Sequence, residues 1–166
     1  KYVDPENIQY WMAFQMLLGN DDTQSRNMYL YSPQNSTKWY IIPWDNDSIL
    51  MKNERRLVSK DSDQANSWEV GVSNYWGNQL FQRLLKSKEF RKGLDEKMDE
   101  LRKTITGDKI TSMSNEYAAV IKPYLAKMPD QMHAKTTPDN YDKILADLPN
   151  ELENNNKIYK TSVVLI

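Results

Sequence analysis

The chain has 166 residues, with 22 Lys plus Arg against 23 Asp plus Glu and no cysteine. That length suits one domain whose folding removes roughly 70% of the extended-chain surface from water. Balanced charge gives no net field toward nucleic acid or an anionic membrane, absent cysteine excludes disulfides, Cys-ligated zinc and a thiol nucleophile, and no apolar run approaches the ~20 residues of a membrane span. No secretory signal is visible. Because the first residue is Lys1 and not Met, the chain is expected to be a piece of a longer protein, so missing signals say nothing about the parent.

Asp4 and Pro5 open the first predicted helix, as an N-cap acceptor followed by a ring suited to the first helical position. Ile8, Trp11, Met12 and Leu18 form its apolar stripe, with Gln15 in the same spacing, and Gly19 is its stop. Residues 20 to 27 are polar and turn-rich. Met28 to Ser32 and Lys38 to Ile42 are aromatic and β-rich, separated by Pro33-Gln34-Asn35-Ser36, which predicts an antiparallel hairpin. Pro43 ends the second strand because it has no N–H for a ladder.

Beyond the hairpin, residues 46 to 74 show no sustained period and predict a long irregular segment, of the kind that is usually functional in a compact domain. From Tyr75 the pattern turns helical. Leu80, Phe81, Leu84 and Leu85 make one stripe, and Phe90, Leu94, Met98, Leu101 and Ile105 a cleaner one, broken by Gly107. Ile110, Met113, Tyr117, Val120, Ile121 and Tyr124 make a third, with Pro123 expected to kink its end. Thr137-Pro138 restarts a helix through Tyr141, Ile144, Leu145 and Leu148, which Pro149 kinks or divides. The apolar end Val163 to Ile166 reads as a docking strand or as the remainder of a cut helix. The expected fold class is therefore mainly α with a small antiparallel β-hairpin (α+β). One domain covers 1–166: a catalytic-loop and hairpin region 19–47, an irregular segment 48–74, a helical subdomain 75–157 and a tail 158–166.

Chemistry concentrates between residues 20 and 47. Asp22 precedes Asn27 by five positions, and Asp45 follows the hairpin. Phosphoryl transfer from ATP requires carboxylates and an amide to hold a divalent cation on the phosphates, and a carboxylate to orient the attacking hydroxyl. A protein kinase draws these from an Asp-x-x-x-x-Asn loop and a second Asp beyond a hairpin. Each residue also has a plainer use. Asp22 and Asn27 suit turns, and Asp21 stands beside Asp22. Asp45 and Asp47 alternate along extended chain and can share a face, or they sit in a solvated turn. An EF-hand is excluded, because its central Gly and distal Glu are missing. Trp39 and Trp44 either pack a small hairpin or offer an indole to stack on adenine. Arg26 is a surface charge or a bidentate phosphate fork. His133, the only histidine, pairs with no nucleophile and reads as structural. The charged run from Lys86 to Lys103 reads as a solvated helix face with i,i+4 pairs, and the methionines read as core.

The stretch Gly19-Asn20, Asp22, Arg26-Asn27-Met28-Tyr29-Leu30-Tyr31, Lys38-Trp39-Tyr40 and Pro43-Trp44-Asp45-Asn46-Asp47 resembles the spore coat protein H (CotH) kinase family. Downstream, Leu80-Phe81-Gln82-Arg83-Leu84-Leu85 with Glu89-Phe90-Arg91 is similar to that family's next helix pair. The resemblance spans roughly residues 5 to 127. It departs from the family's pattern at Met28, where an aromatic is common, and at Ser48-Ile49-Leu50, where a small residue and a Gly often follow the second Asp.

The resemblance implies the C-lobe of an atypical protein kinase-like fold using ATP with Mg²⁺ or Mn²⁺. Asp22 would be the catalytic carboxylate, Asn27 and Asp45 metal ligands, Asp47 a secondary metal or supporting residue, Trp39 one side of an adenine clamp, and Arg26 a phosphate contact. The implied protein substrates carry Ser or Thr acceptors in spore-coat or surface proteins, and the implied location is the spore coat or the cell exterior. The nucleotide-covering side, a missing N-terminal lobe of the same chain, would lie outside these residues and leave the isolated piece with little activity. The rival expectation is a surface-attachment or structural coat module that keeps the fold without the chemistry.

Overall fold

The computed structural model describes residues 2–20, 23, 27–51 and 75–163. In chain order they form α1 (Pro5–Leu18), β1 (Met28–Tyr31), β2 (Tyr40–Pro43), α2 (Gln79–Leu85), α3 (Lys88–Thr104), α4 (Gly107–Leu125), α5 (Asp130–His133) and α6 (Pro138–Val163). The fold is mainly helical with one two-stranded antiparallel sheet.

α1 is the hub. Its start is built as the sequence indicates: Asp4 accepts from the Asn7 N–H at 3.0 Å, and Pro5 occupies the first turn. Gly19 closes it in the left-handed region at φ 67° and donates to Met16 O, while the Asn20 N–H returns to Gln15 O at 2.9 Å. The stripe expected from spacing is too narrow a description, however. Ala13, Gln15, Met16 and Leu17 are buried along with Ile8, Trp11, Met12 and Leu18. Pro5, Glu6 and Tyr10 stay at the surface, but the second half of the helix is buried on most sides, and α3, α6 and β2 all pack on it.

α3 lays Phe90, Leu94, Met98 and Leu101 on α1 and keeps its charged face in solvent. Ser87 caps it, accepting from the Phe90 N–H at 3.3 Å. Gly93 leaves room for Gln9 of α1, whose Nε2 donates to Phe90 O at 3.1 Å; a side chain at 93 would collide with that amide. α2 contributes Phe81 and Leu85, with Phe81 stacked on Trp11 at 5.5 Å and Tyr75 edge-on to both rings. This aromatic trio plugs the core beneath α1.

Gly107 does not terminate α3. That helix ends at Thr104, and Thr106 caps the next one by accepting from the Lys109 N–H, so Gly107 is the first residue of α4. α6 is continuous through Pro149, although a proline inside a helix forfeits one backbone hydrogen bond. It runs on to Val163, so residues 158–163 continue the helix and are not a separate tail; residues 164–166 lie outside the described residues. Its second half seals α1: Leu152 and Tyr159 are buried, the Asn155 amide donates to Leu17 O at 3.2 Å, and the Tyr159 hydroxyl donates to Asp95 of α3. Burial, reinforced by the Asp95 carboxylate, pushes the Tyr159 phenol well above its ordinary range. Arg102 of α3 binds both oxygens of Glu153 at 3.1 and 3.2 Å.

α4 overturns one sequence expectation: Met113, read as core, is exposed, and so is most of its apolar stripe, with Tyr117 64% exposed, Val120 66% and Tyr124 58%, while Ile110 packs against the core. The helix instead buries Ala118, packs along α6, and is tied there by Lys122 to Asp142 at 2.7 Å.

Candidate functional site

The hairpin holds the site, and a two-stranded sheet alone is marginal in water. Three devices fix this one. Ile41 is its buried residue and points into the core beside α1. Asn7 of α1 brackets Ile41, accepting its N–H at 2.7 Å and donating to its carbonyl at 3.2 Å, as a neighbouring strand would. At the start of β2, Trp39 donates to Tyr2 O at 2.8 Å and accepts from the Asp4 N–H at 3.1 Å, making a parallel bridge with Val3. Lys38 adds an ion pair to Asp4 at 3.0 Å. The Asn7 N–H and then Lys38 hold the Asp4 carboxyl below its usual range, and Asp4 in turn raises Lys38.

Pairing runs from Met28 opposite Pro43 to Tyr31 opposite Tyr40. That register puts Asn27, just before β1, and Asp45, two residues past Pro43, at the same open end of the hairpin. Both have left-handed backbones, Asn27 at φ 56° and Asp45 at φ 53°. Asn and Asp tolerate this region better than other residues with side chains, and residues in such sparsely populated conformations gather at ligand-binding positions. Asp45 and Asp47 are exposed, and among the described residues neither is paired with a cation; Asp47 accepts from the Ser48 hydroxyl at 3.2 Å.

Asp22 and Arg26 lie outside the described residues, as do residues 52–74 of the irregular segment. The two described residues of the 20–23 stretch are both anchored. Asn20 is buried and its amide donates to Asn46 Oδ1 at 3.2 Å. Thr23 is buried; its hydroxyl lies 3.3 Å from Asn20 O and 3.0 Å from the Tyr75 hydroxyl. Asn46 also accepts from the Gln15 amide of α1 at 3.1 Å, and the Leu50 N–H donates to Leu18 O at 2.7 Å. The C-terminal turn of α1 thus anchors both the chain leading to Asp22 and the chain carrying Asp45. Gln15, Thr23 and Tyr75 do not stand out in the sequence as part of a site, and Asn20 and Asn46 stand in the motif without a role of their own. Polar residues of these types are surface residues by default, and only the fold reveals that Gln15, Asn20 and Thr23 are inside.

The tryptophans separate. Trp44 adjoins Asp45 and meets Tyr29 edge-on at 5.1 Å, while Trp39 stands at the turn end of β2, roughly 16 Å of extended chain away. Core packing accounts for neither, since Trp39 is 45% exposed and Trp44 56%. Trp39 combines a backbone pinned on both sides with an open indole.

Among the described residues no three His, Cys, Asp or Glu side chains assemble into a metal cluster. The donors at the hairpin mouth are two carboxylates and an amide oxygen, a hard-oxygen set. It fits Mg²⁺, which binds through one or two carboxylates plus substrate phosphates and needs no all-protein cage. No helix among the described residues is long and apolar enough to cross a membrane. No curated protein and no solved structure matches the chain. The family model described as CotH kinase protein matches residues 1–159, and the chain belongs to that family.

Proposed function

We propose that this chain supplies the base-and-metal side of an ATP-dependent protein Ser/Thr kinase, the part equivalent to a kinase C-lobe. The observation that carries the proposal is the shared anchorage at α1: Asn27 and Asp45 meet at one hairpin mouth, and Asn46 and Asn20 join that mouth to the chain leading into Asp22. Membership of the CotH kinase family supports the same reaction class.

In this proposal Asp22 orients the acceptor hydroxyl and takes its proton as the oxygen attacks the γ-phosphorus of ATP; the bond to the bridging oxygen breaks and ADP leaves. Asn27, Asp45 and, in support, Asp47 would hold Mg²⁺ or Mn²⁺, which neutralises charge on the phosphate oxygens when bound. Trp39 stacks on adenine, and Arg26 forks onto a phosphate. The nucleotide-covering side comes from elsewhere in the parent protein. Acceptors are Ser or Thr side chains of spore-coat or surface proteins, and the location is the spore coat or cell exterior; family membership alone supports these two points.

The test is transfer of labelled γ-phosphate by the intact protein that carries this chain. Asp22→Ala and Asp45→Asn should each lower transfer by at least about a hundredfold, and full activity in either variant removes that residue's role. A second reading, an attachment or structural coat module without catalysis, draws support from the solvent-facing apolar stripe of α4. It requires that both variants attach or assemble as wild type does and that no nucleotide binds.

A further inference from the structure

The motif Pro43 to Asp47 places one residue, Asn46, between two carboxylates, and that residue points the other way. Asp45 and Asp47 are exposed, whereas Asn46 is half-buried and directs its amide oxygen inward. The inward oxygen accepts two donors, Gln15 Nε2 at 3.1 Å and Asn20 Nδ2 at 3.2 Å. Gln15 is 0% exposed and Asn20 2%. Among the described residues Gln15 Oε1 has no hydrogen-bond partner and Asn46 is the one group that satisfies the Gln15 side chain. A buried amide left wholly unpaired is costly, and that cost holds Asn46 in place.

The consequence is geometric. Asn46 is bonded covalently to Asp45 and, through Asn20, lies two residues in sequence from Asp22. A single acceptor oxygen therefore joins the two chain segments whose relative placement a phosphotransfer site depends on.

We infer that Asn46 is a positioning residue: through its double acceptance from Gln15 and Asn20 it fixes the spacing between the metal-holding hairpin mouth and the loop bearing the proton acceptor. The inference rests on the kinase reading above for its consequence in catalysis, but the tether has a readout of its own. Asn46 touches neither phosphate nor metal in this scheme and acts through Asp45.

Four variants of the intact protein test it: Asn46→Ala, Asn46→Asp, Gln15→Met, and the double variant Gln15→Met with Asn46→Ala. Asn46→Ala should lower kcat by about tenfold or more, with KM for ATP changed by less than about threefold, since misplacement of reacting groups acts on the chemical step. Asn46→Asp retains an acceptor oxygen and should restore kcat to within about threefold of wild type. The double variant removes the orphaned Gln15 amide, so its melting temperature should recover relative to Asn46→Ala while kcat stays low. A merely structural role would restore both together, and that result overturns the proposal.

Mn²⁺ alone, titrated against the intrinsic fluorescence that includes Trp44, gives the readout independent of turnover. Its affinity should fall by about tenfold in Asn46→Ala and return in Asn46→Asp. Wild-type kcat or unchanged Mn²⁺ affinity in Asn46→Ala also overturns the positioning role. Should the wild-type protein transfer no phosphate, or should Asp22→Ala and Asp45→Asn keep full activity, the kinase reading fails. The Mn²⁺ titration then decides the tether alone: weakened binding in Asn46→Ala upholds it, and equal binding overturns it.

Discussion

α1 and α4 show opposite relations between pattern and packing. α1 has no sharp apolar face, yet from Trp11 to Leu18 it is almost wholly buried, and it carries the polar groups that organise the hairpin mouth. α4 has a regular stripe from Met113 to Tyr124, yet that stripe looks outward and the helix packs through Ala118. Periodicity states that a face exists; what covers it is decided by where the chain goes next. For α1 the chain returns three times, as β2, α3 and α6. For α4 it returns as α5 and α6, which leave most of the stripe uncovered.

Mutations can break this comparison, beginning with the largest effect. Phe81→Ala empties the stack against Trp11 and should cost about 3–5 kcal/mol in denaturant unfolding; a cost below about 1 kcal/mol would mean that the aromatic trio is not core. Tyr159→Phe removes the hydroxyl that joins α6 to Asp95 on α3 and should cost about 2 kcal/mol.

Asp4→Ala removes the α1 cap and should cost about 1 kcal/mol. The Asp4 contribution depends on pH. Its folded pKa lies below the ordinary 3.8, so the stabilisation is fully present above that value and is lost as pH falls from there through the depressed folded pKa. In Asp4→Ala the unfolding midpoint should accordingly fall less steeply with acid over that window. The smallest effect belongs to α4: Val120→Ser should change stability by less than about 0.5 kcal/mol. A cost above about 1 kcal/mol in the intact protein would show that the stripe is covered there.

Legibility from sequence followed the range of each interaction. The caps of α1, the hairpin and the α3 stripe depend on residues a few positions apart, and all were readable. Asn27 and Asp45 lie at the same end of the hairpin, just beyond the Met28–Pro43 pair. The network around Asn46 joins residues 26 and 31 positions apart, and Thr23 reaches Tyr75 across 52. No local pattern announces such contacts, and their polar residues resemble ordinary surface. Gly107 misled for a related reason: a glycine after a stripe reads as a stop, but Thr106 in front of it starts a new helix. The α4 stripe was read correctly as a helix, but its Met113 was read as core and is exposed, because its partner is a matter of tertiary return.

The left-handed backbones of Asn27 and Asp45 have one more consequence. Glycine adopts that conformation without penalty, whereas alanine pays about 1–2 kcal/mol for it. At these two positions glycine is therefore the least disruptive replacement, and under the proposed function Asn27→Gly or Asp45→Gly would remove a metal ligand while the hairpin keeps its shape. On that proposal a single step would shed the chemistry and retain a sound fold, so that inert descendants would be structurally cheap to reach.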